Sequence, residues 1–291
     1  MTSTAKAMTA LMHMRWDMQK FRASDGLEIA YVVDDYTDPW RTAQTLILVH
    51  AAMGSSKRFY AWVPHLARDF RVVRIDLRGH GASGIPGPDQ LSPERLVKDV
   101  VELAEHVGAA RFHVAGSSAG AIVVEKVAID HPDRVLTLGA FAGTGGIKHG
   151  LQDQTTWVQK IGEKGLAAFL RETIADRVDL TRAAPGFVDW FIAESARTPV
   201  AVLERFVPMM RRFEVLEDLH RIQCPTLAVA PGHDPIHTTE QYRVLEQRIP
   251  RCKFIVYEGL PHNITDAVPD RCAEDLKRFI HRHSATPHSG H

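Results

Sequence analysis

The chain has 291 residues, 45% hydrophobic and 24% charged, a balance that suits a globular protein with one large core and room for an inserted lobe. Lys plus Arg and Asp plus Glu number 35 each, so no basic field is present to gather nucleic acid, and no apolar run approaches the roughly 20 residues that cross a bilayer. Three cysteines, Cys224, Cys252 and Cys272, lack C-x-x-C spacing, which argues against a disulfide framework or zinc site and fits a reducing cytoplasm.

Residues 1–18 read as a loose extension, because AMTALMHM is too short and too rich in Thr, His and Met for a secretory apolar core. QKFRASDGLEIAYVV predicts a β-hairpin turning at Asp25-Gly26, a dipeptide that accepts the positive φ angles of a tight turn. The pattern then changes. TLILVH, FRVVRID, RFHVAG, VLTLGAF, TLAVAP and KFIVYEG are short β-rich runs, most of them separated by segments of helical spacing such as PERLVKDVVELAEHVG. This alternation predicts an α/β protein with a mostly parallel central sheet and helices on both faces. Between Phe141 and Thr226 the rhythm lapses into helical stretches, TTWVQKIGEKGLAAFLRETIA and PVAVLERFVPMMRRF. They predict a helical cap at 144–219 inserted into a core made of 19–143 and 220–283. Ligands in open α/β sheets bind beyond the carboxyl ends of the strands, so an insertion there roofs the site. The polar tail 284–291 is expected to be flexible, and HRHSATPHSGH holds four of the sixteen histidines, His281, His283, His288 and His291. His233 and His237 flank Pro235, which argues against a shared helical face, so no metal site is expected.

The chemistry concentrates in FHVAGSSAGAIV, where a strand runs into a helix through two adjacent serines. In a sharp strand-to-helix turn the positions two before and two after a nucleophile crowd together, so they carry almost no side chain. Centred on Ser118 these are Gly116 and Gly120; centred on Ser117 they would be Ala115 and Ala119. Ser118 is therefore the candidate nucleophile. A serine hydroxyl needs an imidazole to take its proton and a carboxylate to hold that imidazole. Asp234, in PGHDPIHT after one strand, and His262, in LPHNIT after the next, complete the chain order Ser, Asp, His of strand-turn-helix serine hydrolases. His233, the rival base, is adjacent to Asp234, and adjacency points the two side chains apart. The oxyanion hole is assigned to the backbone N–H groups of Ala119 and Ala52, with Met53 as the alternative to Ala52.

Five motifs in order, HAAMG, DLRGHGAS, GSSAG, GHDPIH and GLPH, resemble the α/β-hydrolase fold of the single-chain, capped type, over about residues 20 to 283. The stretches TTWVQKIGEKGLAAFL and MMRRFEVLEDLHRIQCPTL are most similar to the 3-oxoadipate enol-lactonase-like group. Two positions depart from those relatives, which usually have glycine at Ala51 and a bulkier residue at Ala119. The resemblance implies that His50, Asp76, Arg78 and His80 hold loops in place. It also implies a cofactor-free serine hydrolase acting on a small ester or lactone. Haloalkane and epoxide chemistry is disfavoured because those relatives have aspartate at Ser118, whereas carbon–carbon hydrolysis and a non-catalytic receptor role stay open. Partners expected are a small molecule, not nucleic acid or membrane, with homo-oligomerisation open. In the cap, Trp157 is the chosen substrate contact; Trp190, Phe191, Phe213, Met209 and Met210 read as core, and adjacent Arg211 and Arg212 as solvated rather than as a carboxylate anchor.

Overall fold

A computed structural model of the chain describes residues 17–152 and 154–284. The expected extension and tail lie outside them except for Asp17, Met18 and Ser284, and Met18 already belongs to the first strand. The strands are β1 (Met18–Arg22), β2 (Glu28–Asp34), β3 (Thr45–Val49), β4 (Arg71–Ile75), β5 (Phe112–Ser117), β6 (Val135–Phe141), β7 (Thr226–Pro231) and β8 (Cys252–Tyr257). They form one sheet in the order β1-β2-β4-β3-β5-β6-β7-β8. β2 pairs antiparallel with β1 and β4, and every other pair is parallel. The hairpin turns where expected, with Gly26 at φ +86° and the Asp25 carboxylate accepting the Leu27 N–H at 3.2 Å.

The longer helices are α1 (Pro93–His106), α2 (Ala119–Asp130), α3 (Gln154–Lys164), α4 (Leu166–Glu172), α5 (Phe187–Ser195), α6 (Val200–Arg212), α7 (Thr239–Arg248) and α8 (Pro269–Ser284). The period-2 geometry of a strand explains why the central strands are apolar throughout. In β3, Ile47 and Val49 pack with Leu103 of α1 and Ile122 of α2, while Leu46 and Leu48 pack with Trp62 and with Leu276 and Phe279 of α8. Both faces of the sheet are thus covered. Among the described residues no helix is long and apolar enough to cross a membrane.

Helices α3 to α6 all lie between β6 and β7. The run TTWVQKIGEKGLAAFLRETIA, continuous by spacing, is broken at Gly165, which takes φ +83° between α3 and α4. The inserted helices build a cluster of their own from Ile161, Phe169, Leu170, Phe191, Ile192 and Leu203, joined by Met53 from the loop after β3. An adjoining strip of α6 places Val202, Phe206, Met209 and Met210 in the main core. One helix therefore seats the insertion on the sheet domain.

Candidate active site

Ser118 stands between β5 and α2 at φ 52° and ψ −115°, a conformation that non-glycine residues rarely adopt. Its N–H donates to Phe141 O at 2.8 Å, which ties the turn to the end of β6. A Cβ at Gly116 would lie 2.2 Å from Gly120 O, and one at Gly120 would lie 2.3 Å from Val49 O, so both positions exclude any side chain. Ser117 is buried, and its hydroxyl pairs with that of Thr265 at 2.9 Å. The two serines are separated by role: Ser118 lines a cavity, and Ser117 braces the loop after β8.

Asp234 follows β7 and His262 follows β8, so both reach the same end of the sheet as Ser118. His262 Nε2 lies 2.9 Å from Ser118 Oγ, and His262 Nδ1 lies 2.7 Å from Asp234 Oδ2. A carboxylate only accepts, so Nδ1 carries the proton and Nε2 is left to accept the Ser118 hydroxyl. Asp234 also accepts the Tyr242 hydroxyl and, at 2.8 Å, the Ile236 N–H. Burial opposes ionisation of Asp234, but the charge and hydrogen bond of His262, with those from Tyr242 and Ile236, outweigh it and hold its pKa below the ordinary value. His233 makes no contact with Ser118; its N–H donates to Leu260 O at 3.0 Å.

Two backbone donors flank Ser118. Ala119 opens α2, where the helix dipole favours negative charge, and Ala52 lies on the cavity wall in the loop after β3. Among the described residues neither N–H has a protein acceptor. The loop is held from behind: His50 Nε2 accepts the Leu77 N–H at 2.9 Å, so its Nδ1 donates to Ala51 O at 2.7 Å. Burial lowers the His50 pKa to about 4, which keeps the ring neutral in this role. Met53 beside Ala52 takes φ 57°, a second strained backbone at the end of a strand. Asp76 accepts the N–H groups of Ser56 at 2.6 Å and Ala82 at 2.8 Å, and Arg78 pairs with Asp99 at 2.6 Å and Asp25 at 2.9 Å. The His80 ring lies tilted against that of His50, with centroids 5.3 Å apart. His50, Asp76, Arg78 and His80 do not line the cavity.

The cavity encloses about 70 Å³, room for a compact acyl group, and is mostly apolar. Trp157 lines it, and Phe191 and Met210, buried in the core clusters as spacing had assigned them, also present an edge to it. The reason is geometric: α5 and α6 are apolar on more than one side, and only the packed structure shows which side opens inward. Trp190, Met209 and Phe213 stay off the wall, and neither Arg211 nor Arg212 reaches it. Three polar lining residues, Arg58, Arg177 and Asn263, had no distinctive local pattern in the sequence, and a fourth, His237, closes the GHDPIH motif. Arg58 forms a bidentate pair with Asp266, Nη2 to Oδ2 at 2.6 Å, and donates to Ser195 Oγ of α5 at 3.0 Å. His237 sits 6.3 Å from the His262 ring, and burial lowers its pKa to about 4.

Known proteins share this architecture. The chain is 27% identical over 261 residues to RutD of Caulobacter sp. (strain K31), provisionally named a carbamate hydrolase, covering 83% of this chain and 92% of that protein. It is 28% identical over 243 residues to the pyrrolizixenacetamide deacetylase of Xenorhabdus hominickii, covering 77% and 84%. Among solved structures the enol-lactonase from Burkholderia xenovorans LB400 superposes with a TM-score of 0.82 at 20% identity, covering 90% of this chain and 100% of that one. Residues 46–275 match the Alpha/beta hydrolase family, and on that match, with the strand order and the turn at Ser118, the chain belongs to it.

Proposed function

We propose that the protein is a cofactor-free serine hydrolase that cleaves a small carboxylic ester or lactone through an acyl-enzyme. The observation that carries this reading is the continuous hydrogen-bond chain from Ser118 through His262 to Asp234, opening on an apolar cavity. Ser118 Oγ attacks the acyl carbon as His262 Nε2 takes its proton, and Asp234 stabilises the imidazolium that results. The Ala52 and Ala119 N–H groups receive the oxyanion, where fixed donors in a water-poor site act most strongly. The proton passes from His262 to the leaving oxygen. Water then attacks the acyl-enzyme, with His262 again as base. The helical cap at 144–219 roofs the reaction, and the small cavity restricts the acyl group to a few carbons. Carbamate hydrolase, deacetylase and enol-lactonase all name acyl cleavage, which supports the reaction class. Free thiols at Cys224, Cys252 and Cys272 fit a reducing, cytoplasmic setting.

The test is release of p-nitrophenol from a short-chain p-nitrophenyl ester by wild type and Ser118→Ala. The expected result is a burst in wild type and a loss of at least about 10³-fold in kcat for the variant. Turnover unchanged in Ser118→Ala refutes the mechanism. No turnover in either protein redirects the reading to carbon–carbon hydrolysis or ligand reception.

A further inference from the structure

An ion pair that takes no part in the proton transfer lies behind the reacting groups. The side chains of Arg58 and Asp266 are 5% and 3% exposed, and they pair through two parallel hydrogen bonds, Nη2 to Oδ2 at 2.6 Å and Nε to Oδ1. Removing two charges from water costs nearly what their attraction returns, so apolar side chains of similar volume often stabilise a fold as well or better. What a bidentate pair supplies beyond them is geometry, because it fixes distance and orientation together.

Four parts of the candidate site meet on this pair. Arg58 stands in the helical turn Ser56–Trp62, which continues the loop of Ala52, and it reaches the cavity wall. Asp266 stands in the turn Ile264–Ala267, which follows His262 directly, and its N–H donates to Asn263 O at 3.1 Å. A carboxylate only accepts, so the Thr265 hydroxyl donates to Asp266 Oδ2 at 3.3 Å and receives that of Ser117, beside the nucleophile, at 2.9 Å. Trp62 Nε1 donates to Thr265 O at 3.0 Å, a second tie between the same two turns. On its other side Arg58 Nη1 donates to Ser195 Oγ of α5 at 3.0 Å, and Phe191 of that helix packs its ring 3.9 Å from the guanidinium carbon. The loop of His262 is thus held from two directions. Asp176 O and Arg177 O accept the N–H groups of His262 and Asn263 at 3.3 and 2.9 Å from the inserted segment, and Arg58 holds Asp266 from the loop after β3.

We propose that Arg58 and Asp266 are positioning residues, whose ion pair keeps the His262 loop in register with Ser118 and with the Ala52 loop. The role rests on the serine-hydrolase reading above, since register matters where His262 Nε2 has to meet Ser118 Oγ. Ser118 is fixed by its own turn, whereas the imidazole arrives on a separate strand end, and a misplacement of about 1 Å between reacting groups costs on the order of 10²-fold in rate.

The experiment uses the double variant Arg58→Met with Asp266→Leu, which removes the pair and strands neither charge, on a short-chain p-nitrophenyl ester. It is expected to unfold cooperatively in urea and to lose about ten- to a hundredfold in kcat with KM within about threefold of wild type. Wild-type kcat in the folded double variant overturns the role. A loss carried mainly by KM also overturns it, because Arg58 is then a substrate contact. If the double variant does not fold, Arg58→Lys decides: it keeps the charge but not the fork, and kcat is expected to fall about three- to tenfold, an unchanged value overturning the role. If wild type turns over no ester, the low-field NMR resonance of the His262 Nδ1 proton, assigned by its change in Asp234→Asn, takes the place of kcat. It is expected to shift or broaden in the double variant, and an unchanged resonance overturns the role. Ser118→Ala separates the two readings: turnover that survives there refutes acyl transfer itself, whereas turnover lost there and intact in the double variant refutes positioning alone.

Discussion

Glu125 lies on α2, the helix that begins beside Ser118, and is fully buried. Neither of its carboxylate oxygens meets a donor in good hydrogen-bonding geometry. Burial raises its pKa from 4.5 to about 8, against the opposing influence of the nearby Gly145 N–H. Between these two values the folded state binds the proton that the unfolded state has released, so stability is full below pH 4.5 and falls as pH rises toward 8. At about 1.4 kcal/mol per pH unit, the loss across that window is on the order of 4–5 kcal/mol. Glu125→Gln preserves the shape and cannot ionise. Its amide lacks partners in the same way, which costs about 1–3 kcal/mol at acid pH. The expected outcome is a variant less stable than wild type at pH 5 and more stable at pH 9, with the difference moving by several kcal/mol. Urea denaturation across that range measures it, and stability curves that stay parallel refute the reasoning.

Asp234→Asn leaves the shape but removes the acceptor that holds the His262 tautomer; kcat should fall by about 10³–10⁴ with little change in KM, read by steady-state kinetics. Gly116→Ala drives a methyl group to 2.2 Å from Gly120 O, and Gly120 is itself wedged against Val49 O; a loss of at least about 3 kcal/mol is expected, and a wild-type melting temperature contradicts it. Arg58→Met strands the buried Asp266 carboxylate and should cost about 3–5 kcal/mol in chemical denaturation, with most of it restored in the double variant Arg58→Met with Asp266→Leu.

Much of the fold was legible because it is written in short-range rules. The six β-rich runs after the hairpin became β3 to β8, since a strand buried on both faces leaves a continuous apolar signature that turns interrupt. The choice of Ser118 over Ser117 was equally local: two glycines at fixed offsets mark a backbone contact that excludes a Cβ. Asp234 and His262 could be located because the ends of adjacent parallel strands converge on one edge of the sheet. The helix break at Gly165 was missed because apolar spacing continues across it.

The cavity wall was a matter for the tertiary structure alone. Phe191 lines it where Trp190 does not, and Met210 where Met209 does not, although each pair is adjacent in the chain. One residue turns a helix by about 100°, and helices with two apolar sides leave that rotation undetermined until they pack. Arg177 lies in TIADRVDL, which carries no motif that marks a cavity residue. Docking of the inserted helices over His262 buried that charge at the cavity wall. The local sequence determined the strands, the strained serine and its partners, because these depend on sterics between near neighbours. What surrounds them depends on which surfaces meet, and only folding brings those together.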